Sequence, residues 1–104
     1  MEIVINEKKL KIDIANTFIK RLLGLMFQKE IKKGLFFPNT GSIHTFFMRS
    51  NIDIIMLNKE NIVVYYEKNV SKNRIIIKKE AQHTIELPPN YPLNIQIGDR
   101  LIFK

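Results

Sequence analysis

The sequence predicts a mainly β fold: a compact antiparallel β-sandwich or barrel-like single domain over residues 1–104, with one short N-terminal helix. Three observations predict it. The length of 104 residues suits one domain built around one core. Short apolar runs alternate with polar residues at a period of two, as half-buried strands do. Clusters of Pro, Gly, Asn and Asp separate these runs, which is typical of closed or two-layered β structures.

The amino-terminal part of the chain predicts a β-hairpin followed by the helix. Residues 3–5 and 10–14 would form the two arms, joined by the polar stretch 6–9. Asn16 can cap the helix, because its side chain accepts a hydrogen bond from a free backbone N–H. Gly24 would end or interrupt it. The apolar face of this helix would carry Ile19, Leu22, Leu23 and Met26.

Beyond Gly34 the pattern is almost wholly that of strands. A hairpin turn is predicted at 58–61, a polar loop at 68–73, and a proline-rich break at 88–92. The predicted strands are residues 35–37, 45–48, 53–57, 62–66, 74–77, 84–87 and 101–103.

Composition excludes several function classes. The chain has no cysteine, which removes disulfides, thiol catalysis and thiolate metal sites. The amino terminus lacks a basic region followed by an apolar run, and no apolar run approaches the roughly 20 residues that span a bilayer. We therefore expect a cytoplasmic protein with no membrane segment. Phosphate-loop, nucleophile-elbow and zinc-protease motifs are missing from the sequence, and we expect no cofactor.

The net charge of +7 raises nucleic acid as a partner, since basic patches attract phosphates. Lysine supplies most of that charge, however, and abundant Lys, Ile and Asn are also what an A/T-rich coding bias produces. Nucleic-acid sites cluster their cations on one face. The four arginines are scattered along the chain, so we regard nucleic-acid binding as unlikely: Arg21, Arg49, Arg74 and Arg100.

The stretch 44–57 is the best candidate for a functional site. It places His44, Arg49 and Asp53 among apolar, strand-forming residues, where burying a polar group unpaired costs roughly 1–3 kcal/mol. Asp53 could anchor a ligand or act as a general base. The structural alternative, which we favour, is a carboxylate that caps loop amides or pairs with Arg49. Met48 would supply an apolar floor, and Glu86 either faces the same cavity or lies on the outer surface.

A metal site formed by His44, Asp53 and Glu86 is chemically conceivable. Nothing in the spacing of these residues supports it, and we predict no metal.

Several motifs follow one another in a recognisable order. Arg-Leu-Leu-Gly-Leu-Met-Phe at 21–27 precedes Gly-Leu-Phe-Phe at 34–37, His-Thr-Phe-Phe-Met-Arg at 44–49 and Ile-Asp-Ile-Ile-Met-Leu at 52–57. Val-Val at 63–64, Ile-Glu-Leu at 85–87 and Gly-Asp at 98–99 come next. This series resembles the DUF192 family, also called UPF0127, small bacterial and archaeal proteins of uncharacterised function.

The resemblance implies a compact, mostly antiparallel β structure with little helix, and it brings no established catalytic role. The characteristic positions of the family match Gly24, Met26, His44, Met48, Asp53, Glu86 and Asp99. Where members usually read Glu-Leu-Pro-Ala-Gly, this chain has Pro-Pro-Asn-Tyr at 88–91, so we expect a differently shaped loop there. Many members also carry an amino-terminal secretion or membrane segment, which we do not expect here.

We arrive at three function hypotheses from different classes. The leading one is a non-catalytic binding module, with a cleft for a small polar ligand or a peptide lined by His44, Met48, Arg49, Asp53 and Glu86. The alternative is a hydrolase or lyase that uses Asp53 or Glu86 as a base with His44. The third is a basic nucleic-acid-binding protein. The sequence predicts no oligomeric state.

Overall fold

The computed structural model describes residues 2–5, 8–15, 34–46 and 48–104, and these contain strands but no helix. The predicted helix, residues 16–26, lies outside the described residues. A seven-stranded sheet has the order β6-β5-β8-β3-β2-β1-β9, and β4 and β7 form a separate two-stranded ribbon. The strands are β1 (Glu2–Ile5), β2 (Lys8–Ile14), β3 (Gly34–Phe37), β4 (Ser42–His44), β5 (Ile52–Leu57), β6 (Val63–Val70), β7 (Ile75–Ile77), β8 (His83–Leu87) and β9 (Ile102–Phe103).

The large sheet curls until its two edge strands approach each other at one end. Ile62, just before β6, forms an isolated antiparallel bridge with Arg100, just before β9. Next to it, the Val63 N–H donates to the Asp99 carbonyl at 2.8 Å and the Gly98 N–H donates to the Val63 carbonyl at 2.8 Å. The result is a curled half-barrel, so the barrel-like form of the predicted fold is confirmed. One neighbouring pair, β2 and β3, is parallel, and the other pairs of described strands are antiparallel.

Two apolar clusters of buried side chains lie on the two faces of this sheet. The cluster inside the curl draws on strands from both ends of the sheet, among them Ile3, Ile12, Ile55, Leu57, Ile85, Leu87 and Leu101. The cluster on the other face includes Leu35, Phe37, Ile54, Met56 and Ile76, and the ribbon covers it. Strand β5 is buried along its whole length because it takes part in both clusters. Each such aliphatic side chain contributes about 1.5–3 kcal/mol when fully buried.

Most predicted strands are confirmed, but the strand at 45–48 is wrong in its described residues. The Thr45 hydroxyl donates to the Ser71 carbonyl at 2.8 Å and accepts from the Arg74 N–H at 2.8 Å. The Met48 N–H turns back to the Thr45 carbonyl at 3.3 Å. A side-chain hydroxyl thus competes with the backbone ladder here, as threonine often does, and the strand ends at His44 instead.

The polar loop predicted at 68–73 is also wrong in its first half. Strand β6 continues to Val70, which is buried opposite Ile52. Burial of Val70 in the second cluster outweighs the strand-breaking tendency of the adjacent Asn69, which adopts a positive φ of 55°.

Candidate functional site

Asp53 is a fully buried carboxylate whose oxygens accept three backbone hydrogen bonds. Its Oδ1 accepts from the N–H groups of Asn69 and Asn90, each at 2.8 Å, and its Oδ2 accepts from the Tyr91 N–H at 2.7 Å. Hydrogen bonds to an ionised group are stronger than those between neutral groups. The carboxylate therefore joins the end of β6 to the loop that follows β8, as expected of a carboxylate that caps loop amides.

The loop that follows β8 contains a residue with a left-handed backbone conformation. The φ of Asn90 is 55°. Asparagine is one of the few residues that adopt this left-handed region readily. The N–H groups of Asn90 and Tyr91 reach Asp53 from this conformation.

A cavity of about 230 Å³ lies beside the segment that leads into β5. Two exposed cations, a hydroxyl and a carboxamide line it, and the buried thioether of Met48 forms an apolar part of its wall. The lining residues are Met48, Arg49, Ser50, Asn51 and Lys72. Two of the five predicted site residues, Met48 and Arg49, therefore lie in one cavity.

Asp53 is connected to this cavity without lining it. The Asn51 Nδ2 donates to the Asn69 Oδ1 at 3.1 Å, and the Asn69 N–H donates to Asp53. The buried carboxylate thus fixes the backbone of Asn69, and the Asn69 side chain holds the Asn51 carboxamide at the cavity wall. In this arrangement Asp53 is linked to Asn51 through Asn69.

Glu86 and Asp53 lie on opposite faces of the sheet. Residues directly opposite each other on neighbouring strands share a face, and successive residues alternate. Asp53 pairs with Leu87, a member of the cluster inside the curl, whereas Glu86 pairs with Ile54, a member of the other cluster. Glu86 is nearly fully buried beneath the ribbon. The two carboxylates therefore cannot act on one substrate atom.

His44 lies at the outer surface, apart from both carboxylates. It pairs with Ile75 in the ribbon, its side chain is exposed, and its ring stacks on Phe46 with the centroids 5.4 Å apart. The ribbon lies between His44 and the buried cluster, and the sheet lies between that cluster and Asp53. His44 is therefore not within hydrogen-bond reach of Asp53.

A second polar cluster, which the sequence did not predict, joins β6 to the start of β7. The Arg74 guanidinium forms an ion pair with Glu67, and the Tyr65 hydroxyl donates to the same carboxylate. Hydrogen bonding from Arg74, then from Tyr65, lowers the pKa of Glu67. Burial, followed by the bond to Glu67, raises the pKa of Tyr65 to about 12. The i, i+2 spacing of Tyr65 and Glu67 on one strand is the local signal for this cluster.

Burial raises the pKa of Tyr66, and the negative charge of Asp53 raises it further. Tyr66 packs against the cluster inside the curl, on the face that carries Asp53. Its phenol therefore reports on the Asp53 charge.

Within the described ranges, no three His, Asp or Glu side chains converge to hold a metal ion. The same part of the chain contains no helix long and apolar enough to cross a membrane.

Comparisons with known proteins agree with the motif resemblance. The chain is 38% identical over 110 residues to the UPF0127 protein TK1120 of Thermococcus kodakarensis, an overlap that covers 92% of this chain and 69% of that protein. It is 32% identical over 113 residues to the UPF0127 protein PYRAB11210 of Pyrococcus abyssi, covering 97% of each.

Two crystal structures share the fold at low sequence identity. A protein of unknown function from Novosphingobium aromaticivorans superposes with a TM-score of 0.80 at 17% identity, covering 98% of this chain and 82% of that one. A putative transcription regulator from Sinorhizobium meliloti also gives 0.80, at 18% identity, covering 97% and 89%. The model of the DUF192 family, described as "Uncharacterized ACR", matches residues 1–103. The chain belongs to the DUF192 family.

Proposed function

We propose that this protein is a non-catalytic binding module whose ligand is a small polar molecule carrying a negative charge. One observation carries the proposal: Arg49 and Lys72 line the same cavity as Ser50 and Asn51, beside the apolar Met48. A pocket with a few convergent polar groups and some apolar surface is the usual form of a small-ligand site.

The chemistry of the lining favours an anion. A guanidinium presents a planar fork of donors that matches a carboxylate or phosphate, and an ammonium adds a second positive charge. The Ser50 hydroxyl and the Asn51 amide can complete the hydrogen bonding of an oxyanion. The connection from Asp53 through Asn69 keeps Asn51 in place before the ligand arrives, which reduces the entropy lost on binding.

The acid–base enzyme is the weaker hypothesis. General acid–base catalysis needs its groups within hydrogen-bond reach of one substrate atom. Asp53 and Glu86 lie on opposite faces of the sheet, and His44 is on the outer side of the ribbon. None of these three residues lines the cavity.

An amide NMR titration tests the proposal. The ligand panel contains acetate, inorganic phosphate, a nucleoside monophosphate and a capped neutral amide. We expect saturable shifts at 48–51 and at Lys72 with the anions and none with the amide. Arg49→Ala should abolish them, whereas Arg100→Ala, which removes an exposed arginine outside the cavity, should preserve them. Unchanged shifts in Arg49→Ala, or no shifts with any anion, would rule out this site.

A short oligonucleotide in the same titration distinguishes the nucleic-acid hypothesis from binding in the cavity. That hypothesis predicts shifts spread over exposed lysines and an affinity that falls with salt at a slope of about −0.9 per neutralised phosphate. If binding is confined to the cavity, the affinity should fall with salt at a slope that corresponds to only one or two neutralised phosphates.

A further inference from the structure

The ribbon formed by β4 and β7 exposes an apolar outer face. Register pairs Ser42 with Ile77 and His44 with Ile75, so these four side chains share one face. Ile75 is 62% exposed and Ile77 is 69% exposed. The alternate residues of the ribbon point inward, where Ile76 is buried in the cluster beneath. Exposed apolar side chains next to one another often mark an interaction site.

Strand β7 also presents an open backbone edge. The Thr45 N–H donates to the Arg74 carbonyl at 2.8 Å, and the Lys78 N–H donates to the Gly41 carbonyl at 3.1 Å. In an antiparallel ladder, hydrogen-bonded pairs alternate with pairs whose backbone groups point away from each other. The backbone groups of Ile75 and Ile77 therefore point to the outer edge of β7, where the described part of the chain provides no second strand.

The surroundings of this edge are positively charged. Lys78 follows β7 directly, and its ammonium lies 4.6 Å from the centroid of the Tyr65 ring. Lys79 beside it is exposed, and so is Lys72, two residues before Arg74. Arg74 is already paired with Glu67, and the nearest exposed acid in sequence is Glu80. The edge thus combines two exposed isoleucines with an excess of lysine.

We infer that the outer face and edge of β7 receive an extended segment of an acidic partner protein. Apolar side chains of that segment would contact Ile75 and Ile77, its carboxylates would face the exposed Lys79, and its backbone would extend the ribbon as a third strand. Addition of a strand to an open edge is a common mode of peptide recognition, with affinity from the backbone and specificity from alternate side chains. Opposite charge on the two surfaces favours association and excludes basic competitors.

Two other occupants fit this surface less well. A second copy of the chain would bring the same lysines together across a symmetric interface, which repels. An anionic membrane would match the charge, but an unpaired strand edge entering hydrocarbon leaves backbone groups without hydrogen-bond partners, at a cost of several kcal/mol each. An extended peptide supplies those partners.

The test uses a capped six-residue peptide that alternates glutamate with valine. We expect its titration to shift the amides of 42–44 and 75–78, and a lysine–valine peptide to have no effect. N-methylation of alternate peptide nitrogens removes the donors on one edge, so one methylated set should abolish binding and the other should leave it intact. Equal tolerance of both sets would overturn the strand-addition geometry.

Two matched variants separate this surface from the rest of the molecule. Ile77→Glu should weaken the peptide by about tenfold or more through like-charge repulsion, whereas Ile97→Glu should stay within about twofold. Ile97 is 67% exposed, so it controls for loss of an exposed isoleucine. Failure of both peptides to bind, binding to phosphatidylserine vesicles in place of the peptide, or a dimer that Ile77→Glu dissociates would each overturn the proposal. Because Arg49→Ala leaves β7 intact, it should not change the affinity for the peptide. Failure of the cavity proposal can therefore be distinguished from failure of this one.

Discussion

Replacing Asp53 removes the carboxylate that accepts hydrogen bonds from three backbone N–H groups. The loss in free energy of unfolding can be worked out from those three hydrogen bonds. Leaving a buried donor unsatisfied costs about 1–3 kcal/mol, which gives about 3–9 kcal/mol as the upper bound for Asp53→Ala. The actual loss should fall below that bound, because Asn69 and Asn90 are exposed residues and water can replace part of the lost hydrogen bonding. A domain of this size has a free energy of unfolding of about 5–15 kcal/mol, which that loss can exhaust. Asp53→Asn keeps one oxygen and places an NH₂ group against the remaining donor. It should lose about 1–3 kcal/mol and stay folded, so it is the variant to measure.

Equilibrium denaturation in urea, followed by far-ultraviolet circular dichroism, gives the free energy of unfolding of Asp53→Asn. Glu60→Gln is the control, because it removes a carboxylate from an exposed turn and should change stability by less than about 0.5 kcal/mol. The phenol of Tyr66 provides an independent readout, since loss of the Asp53 charge should lower its pKa. Equal stability of the two variants, together with an unmoved Tyr66 titration, would refute the reasoning.

Three further outcomes are expected. Spectrophotometric titration should find Tyr65 with a pKa of about 12, and Glu67→Gln should lower that value by removing an adjacent negative charge. Hydrogen bonding from Arg74 lowers the pKa of Glu67, so the ionised carboxylate stabilises the fold at pH values above its pKa in the unfolded chain. Wild type should lose that stabilisation as the pH falls through the lowered pKa of the folded state. Denaturation curves of Glu67→Gln across acidic pH should show no such loss. Gly41→Ala should lower the melting temperature, because its Cβ would lie 2.6 Å from the Ala81 carbonyl oxygen and the backbone would have to shift, at about 1–3 kcal/mol.

The candidate site shows where sequence reasoning stops. It named Met48 and Arg49, which are adjacent in the chain and both line the cavity. It did not find Lys72, which reaches the same cavity only because β5 and β6 pair and bring the loop after β6 back beside residue 51. The sequence does not decide whether Glu86 shares a cavity with Asp53, since the register between two strands is not contained in either strand alone.

The sequence by itself determined most of the strands, the 58–61 turn and the family, since period-two alternation, turn residues and short motifs are local properties. It failed at 45–48 and 68–70, where the Thr45 hydroxyl bonds to a distant segment and Val70 is buried by a neighbouring strand. Only the tertiary structure decided the role of Asp53, whose three donors lie 16, 37 and 38 residues away. The physical reason is that the pairing of β5 with both β6 and β8 sets which face each side chain occupies, and that pairing depends on the whole core.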